Sequence, residues 1–123
     1  MSSPAEYYEA QFAREEMWQA AVVTWARGAG WLVHFVPDSL YRRSFSGRHK
    51  GHALDLGDRG FPDLTLIGQG RVLFRELKVG RNGLSAHQER WRDALLAAGA
   101  DWALWHPRDT IAIQEELDGA GRR

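Results

Sequence analysis

Charged residues stand at both ends of a β-hairpin that is predicted between Gly60 and Gly80. The segment reads GFPDLTLIGQGRVLFRELKVG, with Asp63 opening the first strand-like run and Glu76 and Lys78 ending the second. Side chains alternate along a strand, so Glu76 and Lys78 are expected on the same face of the sheet. Two carboxylates in this arrangement can bind a cation. An ammonium beside them can act on a molecule that the cation binds.

The turn at residues 69–70 decides how the two acids meet. If Gln-Gly is a two-residue turn, the commonest hairpin connection, Asp63 lies directly opposite Glu76. Opposed Cβ atoms are about 5 Å apart, and two carboxylates that close need a shared proton or a cation. Mg²⁺ fits, because it takes carboxylate oxygens and keeps several waters. The alternative stays open because the register is assumed. In that case Asp63 is a strand-edge residue, and Glu76 and Lys78 form a solvated strand end.

A third acid is predicted on the first helix, which has one apolar face. At about 100° per residue, Glu15 falls near the middle of this face and Glu16 toward its edge. An acid there is costly unless it is paired or bound to a metal. A salt bridge from Glu15 to a neighbouring arginine is one interpretation, and an oxygen-lined metal site is the one that we favour. The face is defined by Tyr8, Phe12, Trp18, Val22, Trp25 and Ala26.

The first half of the chain is predicted to contain one helix and three strands. A capping-box pattern at Ser3–Glu6 starts a helix that runs to Ala26 or Arg27 and stops at the following glycines. The apolar run WLVHFV over 31–36 is predicted as a strand, and the hairpin supplies two more.

The second half is predicted to contain two helices and one strand. A capping-box pattern at Ser85–Gln88 starts a helix that ends at Gly99, and WALW over 102–105 reads as a strand. The order helix, three strands, helix, strand, helix predicts an α/β domain with a mixed sheet. The last helix is expected to bury Ile111, Ile113 and Leu117, and the tryptophans expected in the core are Trp18, Trp25, Trp91 and Trp102.

A polar stretch without periodicity covers residues 38–59. Loops this long in a small domain are usually functional or disordered. This stretch carries a run of basic side chains, Arg42, Arg43, Arg48 and Lys50. We predict that this local positive patch contacts phosphates, and the alternative is a solvated loop whose charges aid solubility.

Composition predicts one domain over residues 1–123, with a flexible tail over 118–123. Hydrophobic residues make up 44% and charged residues 26%, which is a globular rather than a disordered mix. The chain has no Cys, so a metal would need oxygen or imidazole ligands. Sixteen basic and sixteen acidic residues cancel. No apolar run reaches the roughly 20 residues of a membrane helix and no secretory pattern is present, so we expect a cytoplasmic protein without membrane contact.

These residues resemble the PD-(D/E)XK nuclease signature, in GFPD over 60–63 and ELK over 76–78. The segment LSAHQERWRDALLAAGA over 84–100 resembles the glutamine-containing helix of the VRR-NUC branch, which is found in small phage-type and repair nucleases. The segment EEMWQAAVVTWARGAGW over 15–31 resembles the acid-bearing first helix of that branch. The resemblance covers most of the chain except 38–59.

The resemblance implies a restriction-endonuclease-like core and hydrolysis of nucleic-acid phosphodiester bonds with Mg²⁺ or Mn²⁺, and we favour DNA over RNA as the substrate. Lys78 would orient the attacking water or stabilise developing negative charge. Gln88 would position Lys78 or the phosphate, and closing the capping box is its compatible structural role. The metal ligands that the resemblance implies are Asp63, Glu76, the Leu77 carbonyl and Glu15.

A structure-specific endonuclease for branched or junction DNA in phage-type replication or repair is one form of this activity. The sequence leaves open whether the substrate is a duplex, a flap, a four-way junction, a single strand or RNA. A homodimer and, for a phage-encoded protein, the host cytoplasm follow from the resemblance. The alternative function is a catalytically silent nuclease-fold module that binds nucleic acid, although such a copy often lacks one of the acids or the lysine. A small-ligand α/β protein would need a glycine-rich strand-to-helix loop, whereas Gly28–Gly30 precedes a strand.

Overall fold

The computed structural model describes residues 3–36 and 57–119 of the chain. These residues form four helices and four strands, with a short 3₁₀ turn before the last helix. The elements are α1 Pro4–Gln11, α2 Glu15–Gly28, β1 Leu32–His34, β2 Leu64–Gly68, β3 Arg71–Leu77, α3 Ala86–Ala97, β4 Asp101–Trp105 and α4 Thr110–Asp118. Each helix in this part of the chain is too short or too polar to cross a membrane.

Most of the loop predicted over 38–59, and most of the tail predicted over 118–123, lie outside the described residues. The same holds for the four side chains that are predicted to contact phosphates, Arg42, Arg43, Arg48 and Lys50. Their role stays a prediction, as does the single domain over residues 1–123.

The described strands form one mixed sheet in the order β1-β2-β3-β4. The pairs β1/β2 and β2/β3 are antiparallel, and β3/β4 is parallel. Parallel strands need a crossover connection, which α3 provides between β3 and β4. Helices flank the sheet, so the α/β prediction is confirmed at the level of a mixed sheet with flanking helices.

The β2–β3 hairpin has the predicted register. Gln69 and Gly70 both have positive φ, 52° and 71°, as a type I′ turn requires. The ladder pairs Gly68 with Arg71 and Leu64 with Arg75. Continued by one residue, this register brings position 63 opposite position 76.

One face of the sheet carries the hydrophobic core. Alternation along β2 and β3 directs their buried leucines toward α2 and α4, whose apolar residues complete the cluster. The fully buried members of this cluster are Trp18, Val22, Ala26, Leu64, Leu66, Leu73, Leu77 and Leu117.

Helix α3 lies on the opposite side of the sheet, where Phe61 connects it to β3. The Phe61 ring contacts Phe74 of β3 at 5.9 Å and Trp91 of α3 at 4.9 Å, both edge-to-face. Phe74 alternates with the core leucines and therefore points away from them. The segment before Asp63 is thus held between the sheet and α3.

The prediction of one continuous first helix is wrong, because two helices are separated by residues 12–14. Phe12 leaves helical geometry, with φ −118° and ψ 63°. Its ring packs on Trp18 at 5.5 Å and on Trp25 at 5.8 Å. This aromatic contact favours a bend between the two helices. A single helical periodicity from Tyr8 to Trp25 therefore does not describe this segment.

The burial predictions for the last helix and for the tryptophans hold in part. Ile113 and Leu117 are buried, but Ile111 is 49% exposed because it lies on the outer face of α4. Trp18 is fully buried and Trp25 packs against the core. Trp91 and Trp102 are only half-buried.

Arg75 joins β3, β4 and α4 on the core face, a role that the sequence analysis did not predict. It is 1% exposed and donates to Asp101 Oδ1 at 2.9 Å and to Glu116 Oε1 at 2.5 Å. Its guanidinium lies 5.0 Å from the ring centroid of Trp105. Burial alone would raise the pKa of Asp101, but hydrogen bonds and charges from Arg71 and Arg75 lower it overall.

Candidate functional site

The hairpin brings the carboxyl groups of Asp63 and Glu76 into hydrogen-bond contact. Asp63 is fixed by a second bond, because its Oδ2 accepts from the backbone N–H of Leu77 at 2.8 Å. This bond continues the β2–β3 pairing past the end of β2, with a side chain in place of a backbone carbonyl. The predicted opposition of the two acids is therefore present.

Glu76 is a buried acid beside another acid. Its side chain is 1% exposed, and its pKa is raised from 4.5 to about 10. Burial is the largest cause, followed by the hydrogen bond and the charge of Asp63, while Lys78 lowers the pKa and Glu15 raises it further. Without a cation, Glu76 therefore keeps its proton at neutral pH, because its pKa is about 10.

Lys78 lies just past the end of β3 on the same side as Glu76. Its backbone N–H donates to the Trp105 carbonyl at 3.2 Å, which extends the pairing with β4 and fixes the backbone here. The side chain is half-buried and lines the cleft beside the two acids. Its charge favours the ionised form of Glu76, so it is close enough to act on groups bound there.

Glu15 is near the acid pair, but its side chain is exposed rather than buried as predicted. It is the first residue of α2 and is exposed, one turn before the half-buried Gln19. Glu15 is in phase with the buried Trp18, Val22 and Ala26, but it lies at the N-terminal end of that face, where the side chain borders an open cleft. Glu15 still raises the pKa of Glu76, whereas Glu16 contacts Arg14 Nε at 3.6 Å.

Gln88 has the predicted capping role, while its positioning of Lys78 or of a phosphate stays a prediction. It closes the capping box of α3, where its Oε1 accepts from the Ser85 backbone N–H at 2.9 Å and its own N–H donates to Ser85 Oγ at 3.2 Å. Its Nε2 donates to Glu76 Oε1 at 3.3 Å. The capping interaction therefore orients the amide toward the acid pair.

Gly60 permits the close approach of the GFPD segment to α3. Its φ is +94°, and a Cβ built there would lie 2.4 Å from the backbone carbon of His87 and 2.7 Å from the backbone N of Gln88. Real Cβ atoms do not approach backbone so closely. The glycine therefore sets the spacing between Asp63 and Gln88, and its position three residues before the acid was the available sequence signal.

The site opens into a cleft of about 640 Å³ with an acidic wall. Its charged lining residues are Glu15, Glu16, Asp63 and Lys78. An adjoining cavity of about 290 Å³ shares Asp63 and Gln88 with this cleft and adds Arg59 and His87. Asp63 therefore faces space that a ligand can enter, and Lys78 and Gln88 line the same cleft.

The donor set fits a hard divalent cation that keeps several of its waters. In residues 3–36 and 57–119, no three Asp, Glu or His side chains are grouped closely enough to enclose a metal. Mg²⁺ needs no such cage, since one or two carboxylates with waters and a substrate phosphate are its usual ligands. Asp63 and Glu76 supply two carboxyl groups, and a cation between them would replace the proton that the raised pKa of Glu76 indicates.

Comparisons with protein-family models, with curated proteins and with solved structures found no match to this chain. The nuclease resemblance therefore depends on the residues quoted above and on their arrangement.

The Asp63→Asn substitution is expected to stabilise the metal-free protein as pH rises. Between pH 4.5 and about 10 the folded Glu76 holds a proton that the unfolded chain releases, so the free energy of unfolding falls with rising pH. An amide at position 63 can keep the Leu77 bond and donate to the Glu76 carboxylate, a gain of about 1.5–3 kcal/mol. Urea unfolding in metal-free buffer across this window measures the effect. If Asp63→Asn were less stable than the wild-type protein at the alkaline end of this pH range, the contact between the two carboxyl groups would be contradicted.

The Gly60→Ala substitution is expected to destabilise the protein more than Gly57→Ala. Both glycines have positive φ, +94° and +85°, so both variants bear the same kind of backbone strain. A Cβ at Gly57 meets no described atom within 4 Å, whereas one at Gly60 overlaps α3. The free energy of unfolding of Gly60→Ala should be about 1–3 kcal/mol below that of Gly57→Ala, which is the usual cost of overpacking. Equal thermal unfolding temperatures of the two variants would contradict the close approach of Gly60 to α3.

Proposed function

We propose that this chain is a metal-dependent nuclease that hydrolyses DNA phosphodiester bonds, on a restriction-endonuclease-like core of the VRR-NUC kind. The observation that carries the proposal is the Asp63–Glu76 carboxyl pair at the end of the hairpin, in which Glu76 is buried and Asp63 is half-buried. Two ionised carboxylates this close repel each other, and a cation bound between their oxygens removes that repulsion. Lys78, Gln88 and Glu15 around it are the groups that phosphodiester hydrolysis on this pattern requires.

Asp63 and Glu76 hold the cation in this proposal, with the Leu77 carbonyl as a further ligand. Mg²⁺ or Mn²⁺, when bound, acts as a Lewis acid on the scissile phosphate and makes water a stronger nucleophile at neutral pH. Glu15, exposed at the start of α2, faces the site from across the cleft and contributes through water.

Lys78 acts on the reacting groups themselves. Its ammonium orients the attacking water or stabilises the negative charge that develops on the non-bridging phosphate oxygens. Gln88 donates to Glu76 and so limits where that carboxylate can turn. A phosphate that approaches the cleft also meets the exposed N-terminal end of α3, where helix geometry favours negative charge.

The remaining parts of the proposal concern partners. DNA is the substrate, and the basic residues Arg42, Arg43, Arg48 and Lys50 contact its phosphates. A phage-type role in replication or repair, a homodimer and a cytoplasmic location are proposals that follow from the resemblance alone.

We expect the purified protein to cleave DNA only with a divalent cation, and Asp63→Asn to abolish cleavage while the fold is kept. Branched, duplex and single-stranded DNA are incubated with Mg²⁺, with Mn²⁺ and with chelator, and the products are separated on denaturing gels. Glu15→Gln should lower the rate about 10- to 100-fold, the usual cost of altering a group around a metal. Glu16→Gln is the matched control and should stay near the wild-type rate.

Two results would contradict this account. Cleavage that persists in chelator, or in Asp63→Asn, would remove the acid pair from the chemistry. DNA binding without cleavage under every condition would favour the silent nuclease-fold module.

A further inference from the structure

A second cavity lies along α3, next to the cavity that adjoins the acidic cleft. It has a volume of about 410 Å³, within the range of small-ligand pockets. Its functional side chains are Arg59, His87, Arg90, Trp91 and Asp58. Cationic groups and an aromatic ring in one cavity are the chemistry that binds a nucleotide.

This cavity is continuous with the proposed active site. It shares Arg59 and His87 with the adjoining cavity, which in turn shares Asp63 and Gln88 with the acidic cleft. The rise along α3 from Gln88 to Ala94 is about 9 Å at 1.5 Å per residue. A strand with one phosphate at Asp63 therefore reaches this cavity within one or two nucleotides.

Trp91 forms an oriented wall of this cavity. Its indole N–H donates to the Asp58 carbonyl at 3.3 Å, and its ring meets Phe61 edge-to-face at 4.9 Å and 84°. Trp18, in contrast, is fully buried and serves only the core. The half-buried Trp91 therefore presents part of a fixed ring to the cavity, as a base-stacking platform must.

The charged groups of this cavity match a nucleotide rather than a bare anion. Arg59 and Arg90 can donate to phosphate oxygens. Asp58 lines the same cavity and can accept from base amino or imino groups. A purely cationic lining would favour phosphate alone, whereas this mixed lining accommodates a base and its phosphate together.

We propose that this cavity binds an unpaired nucleobase of the DNA strand that crosses the active site, with the base stacked on Trp91. The inference rests on the proposed function and names its substrate class: single-stranded or branched DNA. The faces of bases inside a duplex are covered by their neighbours, so only an unstacked base can present one to an indole ring.

The test is a double-mutant cycle between Trp91 and one base of a short single-stranded oligonucleotide. Binding is followed by fluorescence anisotropy with full-length Asp63→Asn, which prevents cleavage. One abasic position should weaken binding about 5- to 150-fold in this parent, the range for a stacked base. In a protein that also carries Trp91→Leu, the same abasic position should weaken binding little further, because both changes remove the same stacking contact.

Exposed Arg90 gives a second variant that does not disturb packing. Arg90→Ala should reduce the slope of log affinity against log salt by about 0.7, the value for one single-strand phosphate contact. Arg27→Ala, at an exposed position in the last turn of α2, is the matched control and should leave the slope unchanged. A blunt duplex should bind without dependence on Trp91.

The possible outcomes separate the two proposals. Additive losses in the cycle, or equal effects of Trp91→Leu on duplex and single strand, overturn the cavity proposal. If the wild-type protein nevertheless cleaves DNA, the proposed function stands without it. Coupled losses without any cleavage by the wild-type protein would support the cavity and overturn the nuclease.

Discussion

The hydrogen bond between the Asp63 and Glu76 carboxyl groups is the interaction on which the rest of the site depends. It exists because a type I′ turn at 69–70 sets the ladder register and because Asp63 also accepts from the Leu77 N–H. Burial makes the contact costly in the charged form, since Glu76 is 1% exposed. The fold therefore holds two carboxyl groups so close that a proton or a cation is needed to neutralise their repulsion.

Local rules predicted the parts of the site that local geometry determines. The Gln-Gly turn gave the register, and the register gave the opposed acids. The capping-box pattern gave the start of α3 and the position of Gln88, whose side chain then reaches Glu76. In each case a few adjacent residues determine the backbone, so no knowledge of the tertiary fold was needed.

The parts that sequence reasoning missed depend on tertiary contacts. The bend after α1 comes from Phe12 packing on Trp18 and Trp25, which no helical periodicity reveals. Arg75 is buried in the middle of β3, because its guanidinium is held by Asp101 and by Glu116 of α4, which only the folded chain brings near it. The basic and aromatic cavity beside α3 likewise joins residues from before β2 with residues of α3, so only the folded chain brings it together.

The central claim is that the Asp63–Glu76 pair binds a divalent cation, and Mg²⁺-dependent thermal unfolding tests it most directly. A ligand at 100 times its Kd stabilises a protein by about 2.7 kcal/mol, so the wild-type unfolding temperature should rise with added Mg²⁺. Asp63→Asn should show little or none of this rise, while Asp93→Asn, a change in an exposed pair with Arg92, should keep it. A rise of the same size in Asp63→Asn, or none in the wild-type protein, would contradict the account.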